Sequence, residues 1–192
     1  MILGLDISTN CIGCCVYSGK EIIHIQYIEP IGDDIYEKID FSYKILKDLI
    51  NKNNITKVYV EEPLVVIPKQ SSAETIKVLI RFNFALLSNI YKDFAIKPYY
   101  VPNSSAKRIL LIKKIVLKDP ELIKLDKVKL DKRLCFQYCL NNFKNFSNFF
   151  SSKEKYSRGA YKNLWKDCAF DCSDAVIIAV SGGALERENS NS

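Results

Sequence analysis

Histidine and long apolar segments are both scarce in this chain of 192 residues. The single histidine, His24, lies in a strand-like run, which argues against catalysis by histidine and against a histidine-rich metal site. No apolar run approaches the roughly 18 residues that a membrane-spanning helix needs. The amino terminus has neither a secretory signal nor the arginine-rich amphipathic character of a mitochondrial leader. We therefore expect an intracellular protein that is neither secreted nor embedded in a membrane.

The cysteines argue against a disulfide framework, because there are seven of them and they are scattered through core-like segments. Without a secretory signal, this pattern indicates reduced thiols. Cys11-x-x-Cys14 and Cys168-x-x-x-Cys172 could together form a zinc site. However, Cys14 lies in an apolar strand and Cys172 lies among core residues, so buried free cysteines explain the pattern better.

Size and charge favour one domain that binds a polyanion. A chain of this length can bury about two thirds to three quarters of its unfolded surface, and 48% of its residues are apolar. The formal net charge is +6, and the positive charge is concentrated between Lys107 and Lys166. A basic surface of this kind suits nucleic acid, although an ordinary lysine-rich surface would look the same in the sequence.

The hydrophobic periodicity predicts an α/β protein. Three adjacent strands followed by alternating helices and strands predict a sheet that is antiparallel in its first half and parallel afterwards. We find no internal repeat or linker, so residues 1–183 form one predicted domain and 184–192 a polar tail. The predicted strands are 1–8, 13–19, 21–29, 57–62 and 97–101, and the predicted helices are 34–53, 71–92, 103–114 (capped by Asn103 or Ser104), 126–143 and 171–183, the last ending at Gly182-Gly183.

A pair of carboxylates, Asp171 and Asp174, precedes the apolar run Ala175–Val180. Side chains three residues apart lie on the same face of a helix. Two carboxylates held this close repel each other unless a cation lies between them. The spacing therefore indicates a site for a hard divalent metal, which prefers oxygen ligands.

Two predicted strands also end in acidic residues, Asp6 in the first and Glu61 or Glu62 in the fourth. Taken singly, a strand-end aspartate is usually a turn or cap residue, and a D-x-x-D pair on a helix is usually solvated surface. Here all of these acids adjoin strongly apolar segments. Four carboxylates from two strands and one helix predict a two-metal nuclease site.

The order of these motifs resembles a known family. Gly4-Leu-Asp6-Ile-Ser8 with Gly13, then Val60-Glu61, then Asp171-Cys-Ser-Asp174-Ala175 is similar to the RuvC-type Holliday junction resolvases of the RNase H-like nuclease superfamily. The resemblance runs from Met1 to about Gly182. It implies an RNase H-like mixed five-stranded sheet, with three antiparallel strands and then parallel strands, flanked by helices.

The resemblance also implies the chemistry. The family catalyses the cutting of four-way DNA junctions as a homodimer, by paired nicks that leave 5′-phosphate and 3′-hydroxyl ends. It uses two Mg²⁺ ions, for which Mn²⁺ can substitute, and no nucleotide cofactor. Its metal-binding catalytic set falls here on Asp6, Glu61, Asp171 and Asp174. Its basic residues near the scissile phosphate fall on Lys107 and Lys132. Of these two, we count Lys132 as catalytic as well.

The chain departs from the family at two places. The aromatic residue that wedges into the junction has no counterpart here, where the sequence is the aliphatic stretch Pro63–Ile67. Residues of about 143–166 form an insertion relative to the bacterial enzymes. In both departures the chain is more similar to phage, viral or organellar members of the family than to the bacterial chromosomal enzyme. We expect a cytoplasmic or nucleoid-associated protein.

The insertion mixes aromatic and basic residues. Its aromatics, Phe149, Phe150 and Trp165, either stack on unpaired bases or pack on the sheet as a covering flap. We expect its cations to contact DNA. The predicted DNA-binding residues of the whole chain are Lys107, Arg108, Lys132, Arg133, Lys153, Lys155 and Arg158.

Other functions share parts of this pattern. The segment Gly4–Gly13 also resembles the phosphate-binding hairpin of actin-like ATPases, but those proteins need a second such domain and 192 residues leave little room. A module that binds branched DNA without cutting it would not need four carboxylates. A nuclease of the same fold that acts on other branched DNA or on an RNA–DNA hybrid remains an alternative.

Overall fold

The computed structural model describes residues 1–63, 72–150, 155 and 165–190. Within these ranges the chain forms five strands and six α-helices, joined by short loops and by two 3-10 turns at Ile112–Lys114 and Phe146–Phe149. The strands are β1 Ile2–Ile7, β2 Ile12–Tyr17, β3 Ile22–Ile28, β4 Lys57–Glu61 and β5 Pro98–Val101. The helices are α1 Ile35–Lys52, α2 Ala73–Phe94, α3 Asn103–Ile109, α4 Pro120–Lys124, α5 Leu130–Asn142 and α6 Asp167–Ser190.

The five strands form one mixed sheet in the order β3-β2-β1-β4-β5. The first three strands pair antiparallel as a meander, whereas β4 pairs parallel to β1 and β5 pairs parallel to β4. The predicted RNase H-like α/β architecture is therefore confirmed. Because β1 lies at the centre of the sheet, the side chains at its carboxyl end are flanked by strands on both sides.

The two faces of the sheet carry different helices. Leu3 and Leu5 of β1 belong to a core with α1 and α2. The intervening residues of β1 face the opposite side, where α5 and α6 build the second core. Because side chains alternate along a strand, Asp6 lies on the α6 side of the sheet. Glu61 lies on the same side, since Val58 and Val60 of β4 belong to the α1–α2 core.

Helix α6 approaches the sheet closely because two strand residues have no side chain. A Cβ atom added at Gly4 would lie 2.3 Å from the carbonyl oxygen of Ala175, and one added at Gly13 would lie 2.2 Å from that of Asp171. Both contacts are with backbone of α6. The glycines thus set the distance between the helix and strands β1 and β2.

The last helix has different ends from those predicted. It begins at Asp167 instead of Asp171, and it continues past Gly182-Gly183 to Ser190, so most of the predicted polar tail is helical. The glycine pair does not end the helix because it packs on the sheet, with Gly182 against the ring of Tyr59. The Tyr59 hydroxyl also donates a hydrogen bond to Glu186, which holds the final turns in place.

Other differences lie between β5 and α5. The predicted helix 103–114 ends at Ile109, because Leu111 adopts a left-handed backbone conformation (φ 53°) before a 3-10 turn. The short helix α4 was not predicted, although Asp119 and Pro120 are its start signal. The Asp119 carboxylate accepts hydrogen bonds from the N–H groups of Glu121 and Leu122.

The described aromatic residues of the insertion pack in the core. Phe146 and Trp165 are buried, and Phe149 and Phe150 pack partly buried against the same core. Phe136 of α5 is a common neighbour of Phe146, Phe150 and Trp165, and its ring centroid lies 5.0 Å from that of Phe146 and 5.4 Å from that of Trp165. The covering interpretation is therefore the one the structure adopts for these aromatics. Residues 151–154 and 156–164 of the insertion lie outside the described residues.

The hydropathy of α6 follows from its position in the core. The expectation that no apolar run is long enough for a membrane span was wrong for α6, because Asp167–Arg187 is long and apolar enough by length and composition, with a mean hydropathy of 1.5. However, 83% of its apolar window is buried inside the protein. Packing against the sheet accounts for the apolar composition without a membrane.

We expect Gly13→Ala to destabilise the protein, because the added methyl group collides with backbone that cannot rotate away. Overpacking of this kind costs about 1–3 kcal/mol. The measurement is the free energy of unfolding from urea titrations. Gly183→Ala is the matched control, because its Cβ would meet only the tip of the Ile2 side chain at 3.2 Å and alanine is the better helix former. Equal stability of Gly13→Ala and wild type would contradict the proposed close contact.

Candidate active site

Three aspartates meet where the carboxyl end of β1 lies beneath the first turns of α6. Asp6, Asp171 and Asp174 can each place a carboxylate oxygen within 4.8 Å of the other two. Asp6 pairs in the sheet with Gly13, the residue that lets the backbone of Asp171 come close. Asp174 is 4% exposed, whereas Asp6 and Asp171 are half-buried. The structure therefore brings together three of the four predicted carboxylates in one group.

Glu61 is the fourth predicted carboxylate, and it lies beside Asp6. It follows the paired residues Leu5 and Val60 in the parallel β1–β4 ladder. One of its oxygens, Oε1, accepts a hydrogen bond of 2.5 Å from Nδ2 of Asn103. The neighbouring Glu62 is exposed, and its backbone N–H pairs with the carbonyl of Val101. Strand alternation thus directs Glu61, and not Glu62, towards the aspartates.

The carboxylates raise each other's proton affinity. The pKa of Asp6 lies well above its usual value, first because the group is removed from water and then because Glu61 and Asp174 repel its charge. Burial likewise raises the pKa of Asp174 to about 6, although Lys132 opposes this shift. Without a bound cation the cluster holds its negative charge at a cost in free energy.

Lys132 of α5 partly neutralises the cluster. Its Nζ lies 2.7 Å from Oδ1 of Asp171 and 3.7 Å from Oδ2 of Asp174. Burial by itself would lower the pKa of this lysine, but the attraction of Asp174 and Asp171 raises it above its usual value. Lys132 is therefore a positive charge at the edge of the site.

The donor set fits a hard divalent metal. The four acidic groups at the site offer carboxylate oxygens, the ligands that Mg²⁺ and Mn²⁺ prefer. Among the described residues, Oδ1 of Asp174 is buried and has no hydrogen-bond partner. An unsatisfied buried acceptor costs about 1–3 kcal/mol, so a cation at this atom would remove an existing penalty.

Two of the predicted DNA-binding residues line a groove beside the site. Lys107, Arg108, Lys113 and Lys114 border a cavity of about 460 Å³ near the start of α5. Arg108 is exposed. The side chain of Lys107 is only 15% exposed, and its Nζ lies 3.7 Å from Oδ2 of Asp131. The groove therefore combines exposed surface cations with one partly buried lysine.

Two other predicted DNA-binding residues have partners within the protein. Arg133 donates from its guanidinium to the carbonyl oxygens of Leu122 and Ile123 at the end of α4. Lys155 binds both carboxylate oxygens of Glu121 and lies 4.3 Å from the ring centroid of Trp165. These contacts hold the segment after β5 in place. Lys153, Arg158 and residues 64–67 of the aliphatic stretch after Pro63 lie outside the described residues.

The sequence analysis missed the contact of Asn103 with Glu61. It predicted Asn103 or Ser104 as a helix cap, but Pro102 occupies the cap position and Asn103 is the first residue of α3. The polar Asn-Ser-Ser run predicts only a helix start. It does not predict this contact, because Glu61 is 42 residues away in the sequence. None of the seven cysteines forms a disulfide, and the metal-ligand group found among the described residues contains aspartates only.

We expect the raised pKa of Asp174 to make metal-free protein lose stability as pH rises. The folded state keeps the Asp174 proton up to a pKa of about 6, whereas the unfolded chain releases it near its usual value of about 3.9. Stability from this group is therefore full below about pH 4 and is lost as pH rises through about 6.

The test is urea unfolding of wild type and Asp174→Asn between pH 4 and 7, with EDTA present. Between pH 4 and pH 7, the unfolding free energy of Asp174→Asn should rise relative to that of wild type by about 2–3 kcal/mol, since one pKa unit corresponds to about 1.4 kcal/mol. Asp48→Asn, an exposed change on α1, is the control and should follow wild type. A pH-independent difference for Asp174→Asn would contradict the assignment.

Comparison with known proteins identifies the fold. No protein-family model matches the chain, and no curated protein sequence gives a significant match. Among solved structures, Thermus thermophilus RuvC in complex with a Holliday junction substrate superposes with a TM-score of 0.62 at 11% identity, covering 98% of this chain and 96% of that one. A second Thermus thermophilus RuvC structure gives 0.59 at 12% identity, with the same coverage.

The yeast mitochondrial Holliday junction resolvase Ydc2 is similar as well. Its TM-score is 0.54 at 13% identity, with 99% of this chain and 80% of that chain covered. Identities this low establish a shared fold. The chain thus has the fold of the RuvC-type resolvases over nearly its whole length, as the motifs implied.

Proposed function

We propose that this protein is a metal-dependent, structure-selective endodeoxyribonuclease that resolves four-way DNA junctions. The observation that carries the proposal is the buried, unpartnered oxygen of Asp174 inside a cluster of carboxylates. A stable fold keeps such an arrangement only at a cost, which a functional cation site explains. The cluster lies in a chain with the fold of junction resolvases.

Asp6, Glu61, Asp171 and Asp174 are the residues that would hold two Mg²⁺ ions, or Mn²⁺ in their place. When bound, such ions activate water and stabilise the leaving oxygen in phosphodiester hydrolysis. The expected products are a 5′-phosphate and a 3′-hydroxyl, which a ligase can rejoin. The pathway we propose is recombination or repair of DNA inside the cell, in the cytoplasm or at the nucleoid.

The lysines at the site act on the substrate phosphate. Lys132 already lies within 2.7 Å of Asp171, so it can move from that carboxylate to a nearby phosphate oxygen without crossing the site. There it would offset the negative charge that grows during cleavage. Lys107, which lowers the pKa of Asp174 through its charge, supplies a second positive charge on the α3 side.

The basic groove supports binding of DNA next to this centre. Its cations, Lys107, Arg108, Lys113 and Lys114, can pair with successive phosphates of one arm of the junction. Contacts of this type give affinity that falls with salt concentration and carry little sequence information. They position the strand and leave selectivity to the shape of the branch.

Two copies of the chain are needed to nick opposing strands in a symmetric way. Helix α2 offers a surface for such pairing, because Ile80, Phe84 and Tyr91 along it are 42%, 69% and 58% exposed. Exposed apolar residues grouped on one helix are typical of an interface. We propose that this α2 surface contributes to a homodimer.

Asp6→Asn and Asp174→Asn should abolish cleavage and leave junction binding within about threefold of wild type. Each change removes a carboxylate charge from the metal cluster but no contact in the basic groove. The substrate is a synthetic mobile four-way junction with Mg²⁺, and linear duplex and an RNA–DNA hybrid are run beside it. Asp48→Asn is the control and should cut like wild type, whereas EDTA should stop all cutting.

The substrates separate the alternatives. Paired nicks that a ligase can seal, found in the four-way junction and absent from linear duplex, support a resolvase. Cutting of the hybrid alone would support the assignment of the metal site but would refute the four-way junction as the substrate. Tight junction binding by wild type without cutting would point to a binding module, and cleavage by Asp174→Asn would refute the assignment of that residue.

Phe84→Glu should shift the protein towards monomer, because it places a charge in the middle of the α2 surface. Sedimentation velocity at several protein concentrations measures the change, and we expect at least a tenfold weaker dimer. Ile123→Glu is the matched control, since Ile123 is a 53% exposed apolar residue on α4, whose neighbours Leu122 and Leu125 belong to the core on the face of the sheet opposite α2. A dimer of unchanged affinity in Phe84→Glu would exclude this interface.

A further inference from the structure

Asn103 contacts the cluster from outside the carboxylate set. Its Nδ2 donates a hydrogen bond to Oε1 of Glu61 at 2.5 Å, across 42 residues of sequence. Asn103 does not occupy the cap position of α3, which is held by Pro102. The amide is therefore committed to the glutamate.

The backbone fixes the place of this amide. Glu61 pairs with Val101 in the β4–β5 ladder, and the N–H of Glu62 donates to the Val101 carbonyl at 3.1 Å. Only Pro102 separates Val101 from Asn103. Because proline has a restricted backbone angle, the turn from β5 into α3 delivers the Asn103 side chain to the end of β4 with little freedom.

A neutral donor suits Glu61 better than a charged one would. Glu61 is close enough to Asp6 and Asp174 to raise the pKa values of both, so its own carboxylate is pushed away from the cluster. An amide N–H can hold one oxygen while leaving the full negative charge and the other oxygen available. A lysine in the same place would compete with a metal cation for the carboxylate.

We propose that Asn103 is a positioning residue that holds the Glu61 carboxylate in place for metal binding. This inference rests on the proposed function, because it assigns a role in the same metal site. Hydrogen-bond partners of metal ligands orient those ligands, and their removal typically weakens metal affinity by about 10–100-fold. Asn103 does so here without touching the metal or the reacting phosphate.

The test is binding of Mn²⁺ alone to DNA-free protein, measured by isothermal titration calorimetry. Asn103→Ala should bind Mn²⁺ at least tenfold more weakly than wild type, with an unchanged midpoint in urea unfolding. Ser104→Ala, a change at the next and exposed position of the same helix, should bind Mn²⁺ as wild type does. In junction cleavage, Asn103→Ala should need more Mg²⁺ for half-maximal rate and should approach the wild-type rate at saturating Mg²⁺.

A double-variant cycle distinguishes positioning from a general structural effect. If Asn103 acts through Glu61, Asn103→Ala should weaken Mn²⁺ binding no further in a Glu61→Gln background. An equal loss in both backgrounds would overturn the inference, and so would wild-type affinity in Asn103→Ala, while the proposed nuclease would stand. Failure of wild type to bind Mn²⁺ would overturn the proposed function and this inference with it.

Discussion

The site depends on the close contact between helix α6 and the centre of the sheet. Gly4 and Gly13 leave room for the backbone of Ala175 and Asp171 to lie where a Cβ would otherwise be, at 2.3 and 2.2 Å. This contact brings two carboxylates of the helix to Asp6 on β1. A methyl group added at either glycine would push α6 away from the sheet, because a close-packed interior has no free space to take it up. The carboxylates of α6 would then lie farther from Asp6.

The same contact creates an electrostatic problem that neighbouring elements partly solve. Four carboxylates converge from β1, β4 and α6, and burial raises the pKa of Asp174 to about 6. Lys132 offsets part of the charge on Asp171 and Asp174, while Asn103 fixes Glu61 without neutralising it. Oδ1 of Asp174 still has no hydrogen-bond partner. A divalent cation bound there would supply the missing partner and offset the remaining negative charge.

Local patterns predicted much of the fold and of the candidate site. The apolar runs gave all five strands, and acids at the strand ends marked the carboxyl edge of the sheet. The choice between Glu61 and Glu62 needed the ladder, because only the pairing of Val60 with Leu5 fixes which side chain faces α6. The end of α6 was predicted wrongly at Gly182-Gly183, because a buried contact with Tyr59 overrides the usual helix-ending effect of glycine.

The sequence by itself predicted that Asp6 and the Glu61-Glu62 pair lie at strand ends and that Asp171 and Asp174 lie on a helix, because apolar periodicity is a local property. The tertiary structure decided which of the basic side chains lie against the carboxylates. Lys132 faces the carboxylates, whereas Arg133 binds carbonyls of α4 and Lys155 binds Glu121. These three residues look alike in the sequence, and they differ because long basic side chains take their partners from whatever element packs beside them.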